Sequence, residues 1–331
     1  MAETLTLQPA LAALDTTTVE VSVVVPVHNE EATVGELVDQ VGHVLRGLGK
    51  DYEIIFVEDG STDATWERIS GYHQGTKTVR GIRFRRHFGK SAGLMAGFAA
   101  ARGEIIITMD GDLQDDPLEI PRFLAKLDEG YDLVNGWKKT RRDPIHKTIP
   151  SRFINWLTGK LTGAKVHDMN CGFKAYRRET AQDLDLYGDL YRFIPAFAVS
   201  RGWKITEIPV QHHPRRFGVS KYGFRRFVTG WFDLLTVTFL TAYRSRPSHF
   251  FGVVGLGLLS VGSIIDLYLV GMRLVTGSIQ FHYPLLAFGT TLVLVGLQLI
   301  LFGVLAELIA AHRERRSLYE VADVLDYRKS G

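Results

Sequence analysis

Ile105-Ile106-Ile107-Thr108-Met109-Asp110-Gly111-Asp112-Leu113-Gln114-Asp115-Asp116-Pro117 sets the architecture of this chain. The short apolar, β-branched run has the pattern of a buried strand, and the acids start where it stops. Pro117 suits the first turn of a following helix, with Asp116 as its cap. Side chains alternate along an extended backbone, which places Asp110 and Asp112 on one side with Gln114 able to join them. Three oxygen donors at a strand's carboxyl end suit a hard divalent cation, Mg2+ or Mn2+, that keeps some water and bridges to phosphates. Taken alone, an acidic triplet of this kind reads as a helix cap about three times as often as a metal-diphosphate clamp.

The neighbouring sequence shifts that balance. Val21–Val27 reads as a strand containing Pro26, and His28, Asn29, Glu30 and Glu31 open a helical pattern that runs to about Leu48. Tyr52–Val57 is a second strand that ends in Glu58 and Asp59, before Gly60, Ser61, Thr62 and Asp63 turn into a helix, with Asp63 as a cap. Val79–Phe84 reads as a third strand, followed by Arg85-Arg86-His87-Phe88-Gly89-Lys90 and a helix of small residues, Ser91–Ala101. Glu104–Met109 and Tyr131–Asn135 complete the set. Strands alternating with helices predict an α/β fold with a mostly parallel, Rossmann-like sheet whose ligands lie outside the strands' carboxyl ends. Asn29, Asp59 and Asp112 then meet on one edge, which favours the clamp over a mere cap. Lys90 opens a helix on that edge, where an anion is favoured. A solvated charge is the equally weighted alternative.

The chain has 331 residues, room for a sizeable core, and a net charge of +3, too weak to argue for nucleic acid. Its single cysteine, Cys171, excludes an intramolecular disulfide and a cysteine metal cage. Residues 1–20 lack a basic start and a continuous apolar run, and read as a mobile arm rather than a signal peptide.

Charge is dense up to about Arg246 and then nearly vanishes in two stretches. Residues 224–246 mix Arg225 and Arg226 with Phe227, Trp231, Leu234 and Leu235, the pattern of an amphipathic juxtamembrane helix, weighed evenly against packing on the chain's own core. Residues 250–275 and 284–311 are each long enough to cross about 30 Å of hydrocarbon. Arg244, Arg246, Arg313, Arg315 and Arg316 flank the pair while the connection has only Arg273, so both termini, the soluble domain 21–223 and the tail 312–331 are expected in the cytoplasm. Asp266 and Glu307 interrupt the apolar runs and are expected to face a helix, a subunit or a lipid phosphate path, Asp266 in a packing role.

The ordered pieces Val25-Pro26-Val27-His28-Asn29-Glu30-Glu31, Val57-Glu58-Asp59-Gly60-Ser61-Thr62-Asp63, Arg86-His87-Phe88-Gly89-Lys90 and Met109-Asp110-Gly111-Asp112-Leu113-Gln114 resemble family 2 glycosyltransferases of the GT-A fold. Within that family they are similar to the polyprenyl-phosphate glycosyltransferases. The resemblance implies that Pro26, Asn29, Glu31, Glu58, Asp59, Lys90, Asp110 and Gly111 line the donor nucleotide site, and that Asp112 and Gln114, with Asp110, hold Mg2+ or Mn2+. Glu58 stands where the family commonly has aspartate, and His87 where asparagine is common.

Composition alone reads Trp137-Lys138-Lys139-Thr140-Arg141-Arg142 and Ser151-Arg152 as a basic surface loop. The resemblance places acceptor-phosphate contacts at Arg141 and Arg152, whose guanidinium groups match phosphate oxygens bidentately. Asp168-Met169-Asn170-Cys171-Gly172-Phe173-Lys174 carries a glycine suited to close backbone approach to a ligand. In similar enzymes an aspartate at the position of Asp168 lies near the acceptor. A phosphate monoester, with a second pKa of about 6, needs little deprotonation, so positioning stands beside base catalysis as its role. Adjacent His212 and His213 face opposite ways on a strand and are poor joint metal ligands. Arg215, Gly218, Ser220 and Lys221 resemble an R-x-x-G-x-S-K motif that closes over phosphate.

The expected activity is inverting transfer of one sugar, from a UDP-sugar by preference, to polyprenyl (undecaprenyl) phosphate at the cytoplasmic face of the inner membrane. The partners are a nucleotide sugar, a lipid phosphate and the membrane, with no nucleic acid and self-association left open. The rivals are a GDP-mannose-dependent mannose synthase, a diacylglycerol glycolipid synthase, and a membrane scaffold that retains the fold without catalysis.

Overall fold

The computed structural model describes residues 19–139, 157–214, 225–242 and 247–313. The chain divides into two compact units, Met1–Thr241 and Ala242–Gly331.

In the first unit the strands are β1 (Val21–Val27), β2 (Tyr52–Glu58), β3 (Val79–Arg83), β4 (Ile105–Thr108), β5 (Leu133–Trp137), β6 (Lys174–Arg177) and β7 (Ile205–Pro209). They form one seven-stranded sheet in the order β3-β2-β1-β4-β6-β5-β7. All neighbours are parallel except β6, which runs antiparallel to both β4 and β5. The central strands β1 and β2 are apolar and buried along nearly their whole length, as strands covered on both faces must be, whereas the edge strand β3 alternates. The expected α/β architecture is therefore present.

Helices cover both faces. They are α1 (Val34–Gly47), α2 (Thr65–Gly75), α3 (Lys90–Ala100), α4 (Ile120–Asp128), α5 (Arg178–Asp183), α6 (Ile194–Ser200) and α7 (Arg225–Ala242). In α4 the buried residues Ile120, Phe123, Leu124 and Leu127 fall at helical spacing, and Phe123 meets Phe173 with ring centroids 4.4 Å apart. Each such buried side chain contributes about 1.5–3 kcal/mol over exposure. On the other face α3 lies close to the sheet because its glycines admit it: Gly93 faces Pro26, and Gly97 faces Val24 so tightly that a Cβ would overlap. In α7, Leu234, Val237 and Thr238 are buried and Val237 joins the core, while Leu235 is exposed. Packing on the chain's own core, the alternative reading of this segment, accounts for that face.

Two expectations are corrected. The stretch after Phe173, read only as a ligand approach, is the antiparallel strand β6; with cations at two of its four positions it lacks the apolar signature of a central strand. The strand before the acids ends at Thr108, and Leu113 has a φ of +58°, so residues 110–114 turn rather than extend and the alternation argument does not apply to them.

The second unit is a helical hairpin of α8 (Pro247–Thr276) and α9 (Tyr283–Arg313), which bracket the stretches 250–275 and 284–311. Both helices are long and apolar enough to cross a membrane. Their buried positions are Gly255, Gly262 and Leu269 on α8 and Gly289, Gly296 and Gly303 on α9, a seven-residue repeat on each. A Cβ on Gly255 would sit 2.6 Å from the Gly296 carbonyl oxygen, and one on Gly262 2.5 Å from that of Gly289. Small residues in register let two backbones touch where lipid offers no hydrophobic drive. Asp266 accepts a 3.3 Å hydrogen bond from Thr290, and Glu307 accepts one of 3.2 Å from the backbone N–H of Ser248 at the start of α8. Both acids face the partner helix.

Candidate active site

The carboxyl ends of β1, β2, β3, β4, β5 and β7 lie along one sheet edge, and antiparallel β6 brings the residues before Lys174 to the same edge, since Lys174 pairs with Thr108. The loops there are stitched pairwise. Asn29, at a φ of +59°, accepts the Thr62 N–H at 2.8 Å through its side chain, and its own N–H donates to Ser61 Oγ at 3.0 Å. Glu31 accepts the Ala64 N–H at 2.9 Å, and Asp63 caps the next turn by accepting from Thr65 N and Glu31 N. Glu58 is fully buried, accepts from Ser61 N and lies 3.3 Å from Arg83 Nε. Asp59 accepts the N–H groups of Phe88 at 2.6 Å and Gly89 at 2.9 Å, with His87 Nδ1 2.9 Å away. His28 Nδ1 lies 2.8 Å from the Asp59 carbonyl oxygen, and the His28 and His87 rings are neighbours. Gly60 has a φ of +68°, and a Cβ there would strike the backbone at Arg86 and His87. Asn29, Glu31, Glu58 and Asp59 thus shape the loops of the expected donor side, with Pro26 at the end of β1 beneath α3.

Lys90 reaches across this edge, where its ammonium donates to Asp110 and lies 5.2 Å from the centre of the Tyr191 ring. Burial pulls Lys90 down, but the Asp110 carboxylate outweighs it and raises the ammonium above its ordinary pKa. Burial likewise pushes Asp110 up, and Lys90 more than offsets that, holding it below the usual carboxylate range. The solvated-charge reading of Lys90 does not survive this pairing. Asp112 is 7% exposed and accepts the Gln114 N–H at 3.2 Å. Gln114 donates its amide Nε2 to the His213 carbonyl at 3.1 Å, and its Oε1 is the acceptor that could face a cation. Asp116 accepts the Leu118 N–H at 3.0 Å and caps the turn opened by Pro117, as expected. Gly111 packs against Val27.

At Gly172 the missing Cβ admits the Asp110 carboxylate, whose oxygens lie 2.6 and 2.7 Å from where a Cβ would stand. Asp168 is 2% exposed, its carbonyl accepts from Asn135 Nδ2 at 2.8 Å and its carboxylate from Asn170 N at 3.2 Å.

Sequence reasoning gave no role to three charges, of which Asp115 and Lys174 are buried and Lys138 is half-buried. Asp115, 1% exposed, accepts the Asp110 N–H at 3.3 Å and lies 3.2 Å from Lys138 Nζ. Burial would raise Asp115 and lower Lys138, yet each holds the other strongly charged. Lys174, 2% exposed, donates to the Cys171 carbonyl, and burial lowers it to about 8. Cys171 beside it is buried and pushed up to about 12, an inert thiol. Asp115 and Lys138 were hidden in an acidic turn and a basic run, where local sequence does not say which charge is paired. Arg141, Arg152, Arg215, Ser220 and Lys221 lie outside the described residues.

The oxygen donors that would hold a divalent cation are those of Asp112, Gln114 and Asp110, with Asp110 also paired to Lys90. Among the described residues no three His, Cys, Asp or Glu side chains converge as a cage. This donor set is that of a cation held by one or two carboxylates and completed by phosphate and water.

A mostly parallel sheet with an acidic corner at its carboxyl edge and a β6 reversal defines the GT-A class of α/β fold. Crystal structures of Mycobacterium tuberculosis glucosyl-3-phosphoglycerate synthase share it. The complex with Mn2+, uridine diphosphate and glucosyl-3-phosphoglycerate gives a TM-score of 0.54 at 21% identity over 67% of this chain and 80% of that one. The complex with Mn2+ and uridine-diphosphate-glucose gives 0.53 at 21% identity over 73% and 84%. The profile of glycosyl transferase family 2 matches residues 22–185. The dodecaprenyl-phosphate galacturonate synthase of Rhizobium johnstonii is 42% identical over 88% of both chains. The undecaprenyl-phosphate 4-deoxy-4-formamido-L-arabinose transferase of Shewanella sediminis is 35% identical over 92% of both. The chain belongs to glycosyl transferase family 2, in its polyprenyl-phosphate glycosyltransferase group.

Proposed function

We infer that this enzyme transfers one sugar from a nucleotide diphosphate sugar, a UDP-sugar by preference, to a polyprenyl phosphate, with inversion, at the cytoplasmic face of the inner membrane. The observation that carries the reading is the meeting, on one sheet edge, of the Asp110–Gln114 corner and its Lys90 partner with the ends of β5 and β7, from which the chain runs on to Arg141, Arg152 and Arg215. The relatives supply the substrate class: the two named above act on dodecaprenyl and undecaprenyl phosphates, and a galacturonosyl or formamido-pentosyl donor is the first to test here.

Asp112 and Gln114 Oε1, with Asp110, are the residues that would hold Mg2+ or Mn2+. That ion would neutralise charge on the departing diphosphate. The chain's own groups have separate tasks. Lys90 offers a cation at a helix start, where phosphate is favoured. The Asn29, Glu31 and Asp59 loops frame the nucleoside. Arg141 and Arg152 hold the lipid phosphate so that its oxygen meets the anomeric carbon in line, with Arg215, Ser220 and Lys221 covering the charge. Asp168 positions the acceptor, which is already anionic. The α8–α9 hairpin anchors the enzyme beside its lipid, with both termini in the cytoplasm.

Purified protein incubated with polyprenyl phosphate and a panel of nucleotide sugars, with and without chelator, tests this. Chelator-sensitive release of nucleotide that requires the lipid phosphate, together with a monophosphate-linked sugar product, is expected. Equal turnover on diacylglycerol, or use of GDP-mannose alone, would select a rival enzyme, and no turnover with any donor would leave the scaffold.

A further inference from the structure

Asp115 joins three segments that are remote in the chain. Its Oδ2 accepts the backbone N–H of Asp110, the first residue of the acidic corner, at 3.3 Å. Its Oδ1 faces Lys138 Nζ at 3.2 Å and His212 Nδ1 at 3.6 Å, ion-pair distances without an aligned hydrogen bond. Around it residues 114–116 run against 211–213 as a short antiparallel pairing: Asp115 bridges to His212, the His213 N–H donates to the Gln114 carbonyl at 2.8 Å, and His213 Nε2 lies 3.1 Å from Asp116. The Gln114 side chain is held by the same strip through the His213 carbonyl.

A buried pair of charges is weak evidence for stability, since an apolar pair of similar size often serves as well. Its value lies in register. Lys138 stands three residues before Arg141, and His212 three before Arg215. An error of about 1 Å between donor and acceptor costs about a hundredfold in rate when attack must be in line.

We propose that Asp115 is a positioning residue for glycosyl transfer, which holds the cation corner in register with the two segments leading to the acceptor-side arginines, through Lys138 and His212. The inference rests on the proposed acceptor. It predicts a loss confined to the transition state, because the groups that bind each substrate remain in place.

The test uses full-length protein in detergent and three variants: Asp115→Asn, which keeps an acceptor for the Asp110 N–H, Lys138→Met, and the two combined. Asp115→Asn is expected to lower kcat about tenfold or more, with both KM values within about threefold. The double variant removes both members of the charge pair and is expected to recover the thermal midpoint but not kcat. Dialysis of labelled UDP with Mn2+ should give the same binding for wild type and Asp115→Asn. A single variant with wild-type kcat, or a double variant that recovers kcat together with the melting temperature, overturns the inference by making Asp115 a structural counter-charge. Wild-type protein that transfers nothing to polyprenyl phosphate sinks the functional reading and this inference with it.

Discussion

Lys90, the first residue of α3, donates its ammonium to the carboxylate of Asp110, two residues beyond the end of β4. The first acid of the corner is therefore neutralised from within the protein, and under the proposed function Lys90 would offset diphosphate charge as well as carboxylate charge.

Replacing Lys90 with Gln separates those two effects. A charge-assisted hydrogen bond contributes about 1.5–3 kcal/mol, so the donor KM should rise about tenfold or more. Removing a cation beside the acids should at the same time lower the Mn2+ concentration needed for half-maximal rate. Initial rates over a donor and Mn2+ grid read both, and movement of the two constants in the same direction would contradict the pairing.

Gly172→Ala places a methyl group 2.6–2.7 Å from the Asp110 carboxylate oxygens, closer than real contacts allow. The carboxylate must move and the Lys90 pair with it. Transfer should fall about tenfold or more while the far-UV dichroism is retained, because the clash is with one side-chain end and not with the core.

Lys174 gives a pH signature. Its folded pKa is about 8, below the roughly 10.4 of an exposed lysine. Below pH 8 it is charged in both states and its burial is a constant cost; as pH rises from about 8 to about 10.4, only the unfolded chain keeps the proton, and that cost is relieved. The stability of the wild type relative to Lys174→Met should therefore improve over that window. Paired thermal melts at pH 7, 8, 9 and 10, chosen to span about that range, should show the difference in midpoint shifting toward the wild type, and a flat difference would place a freely titrating amine there.

Gly296→Leu tests the hairpin seam. Gly296 meets the Gly255 carbonyl oxygen at 2.6 Å from its would-be Cβ, so a large side chain forces α8 and α9 apart. Protease sensitivity of the detergent-solubilised hairpin should increase, whereas the same change at Gly257, which has nothing within 4 Å of its would-be Cβ, should leave it as in the wild type.

Five of the seven strands were legible, β1, β2 and β4 because a buried parallel strand is a largely apolar, β-branched run, and β3 and β5 as short apolar stretches between helical patterns. β6 and β7 were not, since Lys174-Ala175-Tyr176-Arg177 looks like surface and Thr206, Glu207 and Pro209 break the apolar pattern of Ile205-Thr206-Glu207-Ile208-Pro209. In the acidic corner, the Asp116 cap was readable from local spacing. Lys90 stood level between two readings until its partner was seen. The seven-residue glycine repeat of the hairpin was present in the letters and went unread, because hydropathy alone reports length and not a contact face.

Periodicity, composition and the ordered motifs carried the α/β class, the family and the two apolar helices, because each is a short-range regularity of one stretch of chain. Which charges meet is a different kind of fact. Asp115 finds Lys138 and His212, and Gly172 opens to Asp110, only once β6 has entered the sheet antiparallel and brought remote segments to one edge. Pairing of that kind depends on distance in space, and spacing along the backbone does not contain it.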